Sequence, residues 1–432
     1  MSESALYPMK FHPLFKNKVW GGNKIKDMGF NYDPLPNCGE LWALSSAPGN
    51  ESIIANGFLA DNTLSEAIEI YMGELVGERN YQRFGNTFPL LLKIIDAADD
   101  LSIQVHPDDQ LAQARGMENG KTEMWYIIHA EEGAQLIDGF ATSLTPDEYN
   151  KFLEMGRLEH VLHVEKPQAG DVFFIPAGRV HAIGKGLLLA EIQQTSDTTY
   201  RIYDYNRLGD DQKPRELHTA EALAAIDFSA LQDGKTHYQY QPNTSTQLAE
   251  CPYFTTNLIP LTEPIRKDFS ELDSFVIYLC TEGIAAVKCM DEIVPIHAGE
   301  CVLLPAVAGK VELYPFQMDE RSILQSQPSK LLEIYIDPAQ YKGEYRHTND
   351  MDWVAQFIGD HPMPDWMDDD EEYEDYECDC DDHDDHCGCH EHHRHCDGHH
   401  HHHCDCGCED HHHDCHSHGH DDCDCGCGHH HD

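Results

Sequence analysis

The sequence predicts a mainly β protein: two related barrels in tandem, a small helical insertion, and a C-terminal tail that stays disordered. Three observations predict it. Residues 8 to 60 and 88 to 205 are mostly short runs of aromatic and β-branched residues broken by Gly, Pro and Asn. The segment VPIHAGECVLLPAV (294 to 307) repeats the form of EKPQAGDVFFIPAG (165 to 178), each with a Gly, five residues and a Pro. Residues 368 to 432 carry almost no apolar side chains, so they cannot bury enough surface to offset chain entropy.

The elements follow in chain order. Residues 1–240 make the first barrel, with an insertion near 61–85. There Leu64, Ala67, Ile68, Tyr71, Met72 and Leu75 fall on one helix face, and Thr63 is placed to cap it. Thr145, Pro146, Asp147 and Glu148 form a second helix start, and Thr219 opens a third through AEALAAI. Residues 241–338 make the second barrel, 339–367 a linker and 368–432 the tail.

Composition excludes several classes of function. The net charge is −48; the tail holds 23 acidic residues against the single Arg394, leaving −26 on the rest. So acidic a body does not suit nucleic acid or an anionic membrane surface, and an anionic substrate needs a local basic pocket. No run approaches the apolar length of a membrane span, and MSESALYPMKF lacks the features of a signal peptide, so a cytoplasmic protein is expected. Cys38, Cys251, Cys280, Cys289 and Cys301 are scattered and odd in number, which argues for reduced thiols.

Chemistry concentrates between Gln104 and His181. In QVH, Gln104 and His106 alternate on an extended backbone and leave one strand face together. Glu123 opens EMWYII, and His181 closes GDVFFIPAGRVH. Imidazole, carboxylate and amide oxygen without thiolate suit zinc or another borderline divalent ion, and four or fewer protein ligands leave a position open for water or substrate.

The run Gly170, five residues, Pro176, one residue, Gly178, two residues, His181 resembles the second metal motif of the cupin superfamily, whose fold is a jelly-roll barrel. FKNKVWGGNKI (15 to 25), GELWALSSAP (39 to 48), FPLLLKIIDAADDLSIQVHPDD (88 to 109), GKTEMWYII (120 to 128) and AEIQQTSDTTYRIYDY (190 to 205) are similar, in order, to the signatures of class I mannose-6-phosphate isomerases of the short bacterial form. The resemblance covers roughly residues 8 to 338. It implies zinc held by Gln104, His106, Glu123 and His181, a catalytic Arg201, and Ser102, Lys93 and Lys121 near a sugar phosphate. Glu191, ten residues before Arg201, matches a carboxylate that longer family members place near substrate. In the second barrel the position of His181 is Lys310 and no QVH is present, so that half is expected to be structural or dimer-forming; monomer and homodimer both stay open.

The tail stands outside this resemblance. It holds 12 cysteines and 20 histidines, with CDC and CGC pairs and a repeated CDCGC, a composition that binds divalent metal. Two functions therefore compete: a zinc-dependent isomerase of mannose 6-phosphate and fructose 6-phosphate with an appended metal buffer, or a metal-storage or delivery protein with an idle barrel. A cupin dioxygenase using iron fits the ligand types but not GKTE or TTYRIYDY.

Overall fold

A computed structural model describes residues 6–343 apart from 210–211, 316, 319–323 and 326–327; the tail lies outside the described residues. The first barrel is a six-stranded sheet over a five-stranded one. In the first sheet the order is Val172–Ile175, Glu123–Ala130, Leu187–Gln194, Leu90–Ala97, Glu40–Leu44 and Leu14–Lys16. In the second it is Leu162–Glu165, Leu136–Phe140, His181–Ile183, Ile103–Val105 and Tyr200–Tyr203.

The second barrel repeats this order. Cys301–Leu304, Val276–Glu282, Ser329–Tyr335, Thr255–Leu261 and Thr246–Glu250 form one sheet, and Ile265–Asp268, Lys310–Pro315, Ile284–Cys289 and Glu292–His297 the other. The register repeats as well. Glu191 lies opposite Lys93 and Trp125 in the first barrel, and Glu333 opposite Asn257 and Tyr278 in the second. Glu333 also accepts hydrogen bonds from Tyr278 (2.9 Å) and Asn257 (3.0 Å). Where Ile175 faces Glu123, Leu304 faces Val276, so the second copy puts an apolar side chain in the place of the carboxylate. The chain's first strand, Met9–Lys10, adds to the free edge of Cys301–Leu304.

The two six-stranded sheets share one core. Leu92, Ile94 and Met124 pack in the same cluster as Ile277, Leu332 and Ile334, while Ile95, Trp125 and Leu189 fill the first barrel and Tyr278 and Leu331 the second. Burial on both faces explains why LLLKIIDA and LLLAEIQQ read as nearly unbroken apolar runs rather than alternating ones.

The helical insertion begins as expected: Thr63 caps Leu64–Val76 and forms a reciprocal capping box with Glu66. Its apolar stripe does not run through as the periodicity suggests. Met72 has φ 46° and is 48% exposed, so the helical path breaks there, ahead of Gly73. A second helix, Glu78–Phe84, then docks on the second barrel, its first backbone N–H groups donating to the Asp273 carboxylate at 2.6 and 3.1 Å. Gly77 is required at this contact, since a Cβ there would lie 2.4 Å from the Asp273 carbonyl oxygen. The helices expected at Thr145 and Thr219 are present as Pro146–Glu154 and Thr219–Ala225.

Candidate active site and metal centre

Three neighbouring strands carry the first group of site residues. Gln104 is paired across the ladder with His181 on one side and with Arg201 on the other. Glu123 comes from the opposite sheet, at the start of Glu123–Ala130, and reaches the same point inside the barrel. Glu123 Oε2 lies 3.5 Å from His106 Nε2, and Oε1 lies 3.4 Å from His181 Nε2. Their ligand atoms all fall within 4.8 Å of one another, and all three residues are buried.

The protonation of this group follows from its partners. His106 Nδ1 lies 2.8 Å from the Thr198 carbonyl and His181 Nδ1 lies 2.8 Å from the Arg179 carbonyl. A carbonyl only accepts, so both Nδ1 atoms carry the hydrogen and both Nε2 lone pairs turn toward Glu123. Burial first, then the Lys121 charge, holds His106 well below its ordinary pKa, and burial pushes His181 down to about 4. Burial, with the Glu191 charge behind it, pushes Glu123 up to about 7. Lys121 Nζ pairs with Glu123 Oε2 at 3.0 Å and lies 3.2 Å from His106 Nε2, while Glu123 Oε1 accepts no hydrogen bond. Two neutral imidazole lone pairs and a buried carboxylate with one oxygen free of donors make a set that fits a divalent cation.

Gln104 stands beside His181 with its amide nitrogen 3.2 Å from Nε2, its oxygen lying 3.5 Å from Ser102 Oγ. The amide therefore offers N–H to the imidazole in this rotamer, and a half-turn would present the oxygen.

Beside the metal position lies a cavity of about 310 Å³, lined in part by Ser102, Gln104, Lys93, Lys121, Glu191 and Arg201. Lys93 sits 3.0 Å from Glu191 Oε1, and the Trp125 indole donates to Glu191 Oε2 at 3.1 Å. Burial acts to raise the Glu191 pKa, but the Lys93 and Lys121 charges and these donors outweigh it and hold it down at about 2. On the other side of Lys93, Glu40 accepts from the Trp42 indole at 2.7 Å and pairs with Lys18 at 3.1 Å. Arg215 is committed to Asp204 by a 2.7 Å bond, as is Arg207. Arg201 is different: it has no ion-pair carboxylate among the described residues, donates from Nη1 to the Glu216 carbonyl at 2.8 Å, and keeps a buried Nε without a partner.

All nine site residues expected from the sequence come together here. Glu40, Lys18, Trp125 and Arg215 were not singled out. Glu40 lies in GELWALSSAP, but its role depends on the Lys93 strand packed beside it.

Fold and site together define the class: a mainly β, two-barrel enzyme with, among the described residues, one His–Glu–His group beside a cation-rich cavity. The family model for the catalytic domain of type I phosphomannose isomerase matches residues 9–124. The mannose-6-phosphate isomerase ManA of Bacillus subtilis is 36% identical over 312 residues, 71% of this chain and 95% of that protein. A mannose-6-phosphate isomerase of Streptococcus mutans is 37% identical over 304 residues, 69% of this chain and 92% of that protein. The crystal structure of a Bacillus subtilis mannose 6-phosphate isomerase superposes with TM-score 0.66 at 32% identity, covering 76% of this chain and 99% of that one. A zinc-bound mannose 6-phosphate isomerase shares the fold at 18% identity and TM-score 0.60, covering 76% of this chain and 99% of that one. The chain belongs to the type I mannose-6-phosphate isomerase family and is an aldose–ketose isomerase.

Proposed function

We propose that the chain interconverts mannose 6-phosphate and fructose 6-phosphate, with one zinc ion held by His106, Glu123 and His181 and Gln104 adjoining them. The observation that carries this reading is the Glu123 carboxylate, buried beside the Lys121 ammonium and facing two imidazole lone pairs at the wall of a cationic cavity. When bound, the ion would supply Lewis-acid stabilisation of oxygen charge as a proton moves between C1 and C2.

The chain's own residues do the rest. Arg201, with no ion-pair carboxylate among the described residues, is the group available to hold an oxyanion with parallel N–H bonds. Lys93 and Lys121 bring positive charge to a phosphorylated sugar that the acidic body repels. Glu191 fixes Lys93 and, with Ser102, presents polar atoms to the sugar hydroxyls. Assay of mannose 6-phosphate turnover on full-length protein, before and after chelation and with zinc restored, tests the reading. Undiminished turnover in metal-free protein would sink it.

We further infer that residues 368–432 bind additional divalent ions through their thiolates and imidazoles; at four thiolates per ion, the cysteines account for about three. A storage protein with an idle barrel would have no use for the Lys93–Glu191–Trp125 network, and no observation favours it.

A further inference from the structure

His181 opens the short strand His181–Ile183 directly after a loop, so the rotation of its ring is set by what its second nitrogen meets. That partner is the Arg179 carbonyl, at 2.8 Å. The carbonyl is only as fixed as residue 179, and the Arg179 guanidinium donates from Nη1 to Asp138 Oδ1 at 2.8 Å. Asp138 is fully buried and lies directly across the ladder from His181. Its other oxygen, Oδ2, accepts no hydrogen bond, and Arg179 is its one ion-pair partner among the described residues. The next residue completes the hold: Gly139 N donates to the Val180 carbonyl at 2.7 Å. Gly139 has φ 78°, and a Cβ there would lie 2.9 Å from Arg179 Cδ, so glycine is what lets the arginine cross to the aspartate. Two consecutive residues of one strand thus grip the two residues that precede His181.

We propose that Asp138 and Arg179 are positioning residues for His181, a partly buried ion pair that fixes the carbonyl by which the imidazole is aimed at a divalent ion. This rests on the metal reading above. Groups that orient a ligating histidine from behind typically change metal affinity by 10- to 100-fold when removed. A buried carboxylate left without its cation is also strongly unfavourable, so losing either partner moves the other.

The test is cobalt(II) titration of the full-length protein, because thiolate coordination in the tail shows its own near-ultraviolet charge-transfer band. The barrel signal is the part of the visible spectrum that His181→Ala removes. Asp138→Asn, Arg179→Met and Gly139→Ala are each expected to weaken that component by about 10-fold or more. The Asp138→Asn/Arg179→Met double variant should be no weaker than the weaker single one, since both break one contact. Barrel affinity within twofold of wild type in folded Arg179→Met and Gly139→Ala would overturn the proposal, even if Asp138→Asn did not fold. So would variants that lower thermal stability and leave cobalt affinity unchanged, which is what a purely structural pair would do. A wild-type spectrum that His181→Ala leaves unaltered would overturn the metal reading itself, and the proposal with it.

Discussion

Among the described residues Arg201 is the cation of the cavity that has no ion-pair carboxylate, and this separates its role from that of the lysines. Lysine keeps the charge but loses the planar fork, so Arg201→Lys should lower kcat at least tenfold, about 1.4 kcal/mol, while bound zinc stays at the wild-type level. Steady-state kinetics beside metal analysis checks this, and unchanged turnover would place the arginine outside the site. His106→Ala or His181→Ala takes away a proposed ligand, so barrel zinc and turnover should fall in parallel. Glu191 makes a prediction in pH. Its pKa is held down at about 2 against an ordinary 4.5, so its ionised form contributes stability above 4.5 that is lost as pH falls toward 2. Acid unfolding followed by circular dichroism should therefore show a shallower loss of stability between those values in Glu191→Gln than in wild type. Parallel curves would contradict the assignment.

At the scale of elements, local signals were legible and register was not. The caps at Thr63 and Thr145 are visible in the sequence because each capping box lies within four residues. Thr63→Ala should cost about 1 kcal/mol in chemical denaturation and leave KM unchanged, because the helix docks away from the cavity. The break at Met72 was hidden because the apolar spacing continues through it; the docking of Glu78 on Asp273, remote in sequence, decides where the second helix lies. The grouping of His106, Glu123 and His181 was legible because QVH, EMWYII and the run ending at His181 each put a side chain that can bind a metal on a strand. Glu40, Trp125 and Asp138 were not, since each acquires its role from a partner strand that no local pattern identifies.

The whole molecule is an acidic body carrying a still more acidic tail, and the proposed functions divide along that line. Removing residues 368 to 432 should leave metal-replete turnover nearly unchanged and reduce bound zinc per chain. Equal zinc content in both proteins would end the tail proposal, and lost turnover on truncation would make the tail part of the enzyme. Because thiolates and imidazoles must lose protons to bind, loading the tail should release protons and weaken as pH falls.

The pairing of Met9–Lys10 with Cys301–Leu304, reinforced by a 2.7 Å ion pair from Lys10 to Glu300, bears on how the chain is born. Met9–Lys10 leaves the ribosome long before its partner exists. At about 5–20 residues per second, roughly 15 to 60 s separate the two during synthesis. Through that interval Met9 and Lys10 lack the strand they pair with, although Phe11 already has its bridge partner Ile54, and the edge they will cover has not been made. A sheet of the second barrel therefore closes on a segment made well before it, and a nascent chain stopped before residue 301 cannot form this closure however well its first barrel has folded.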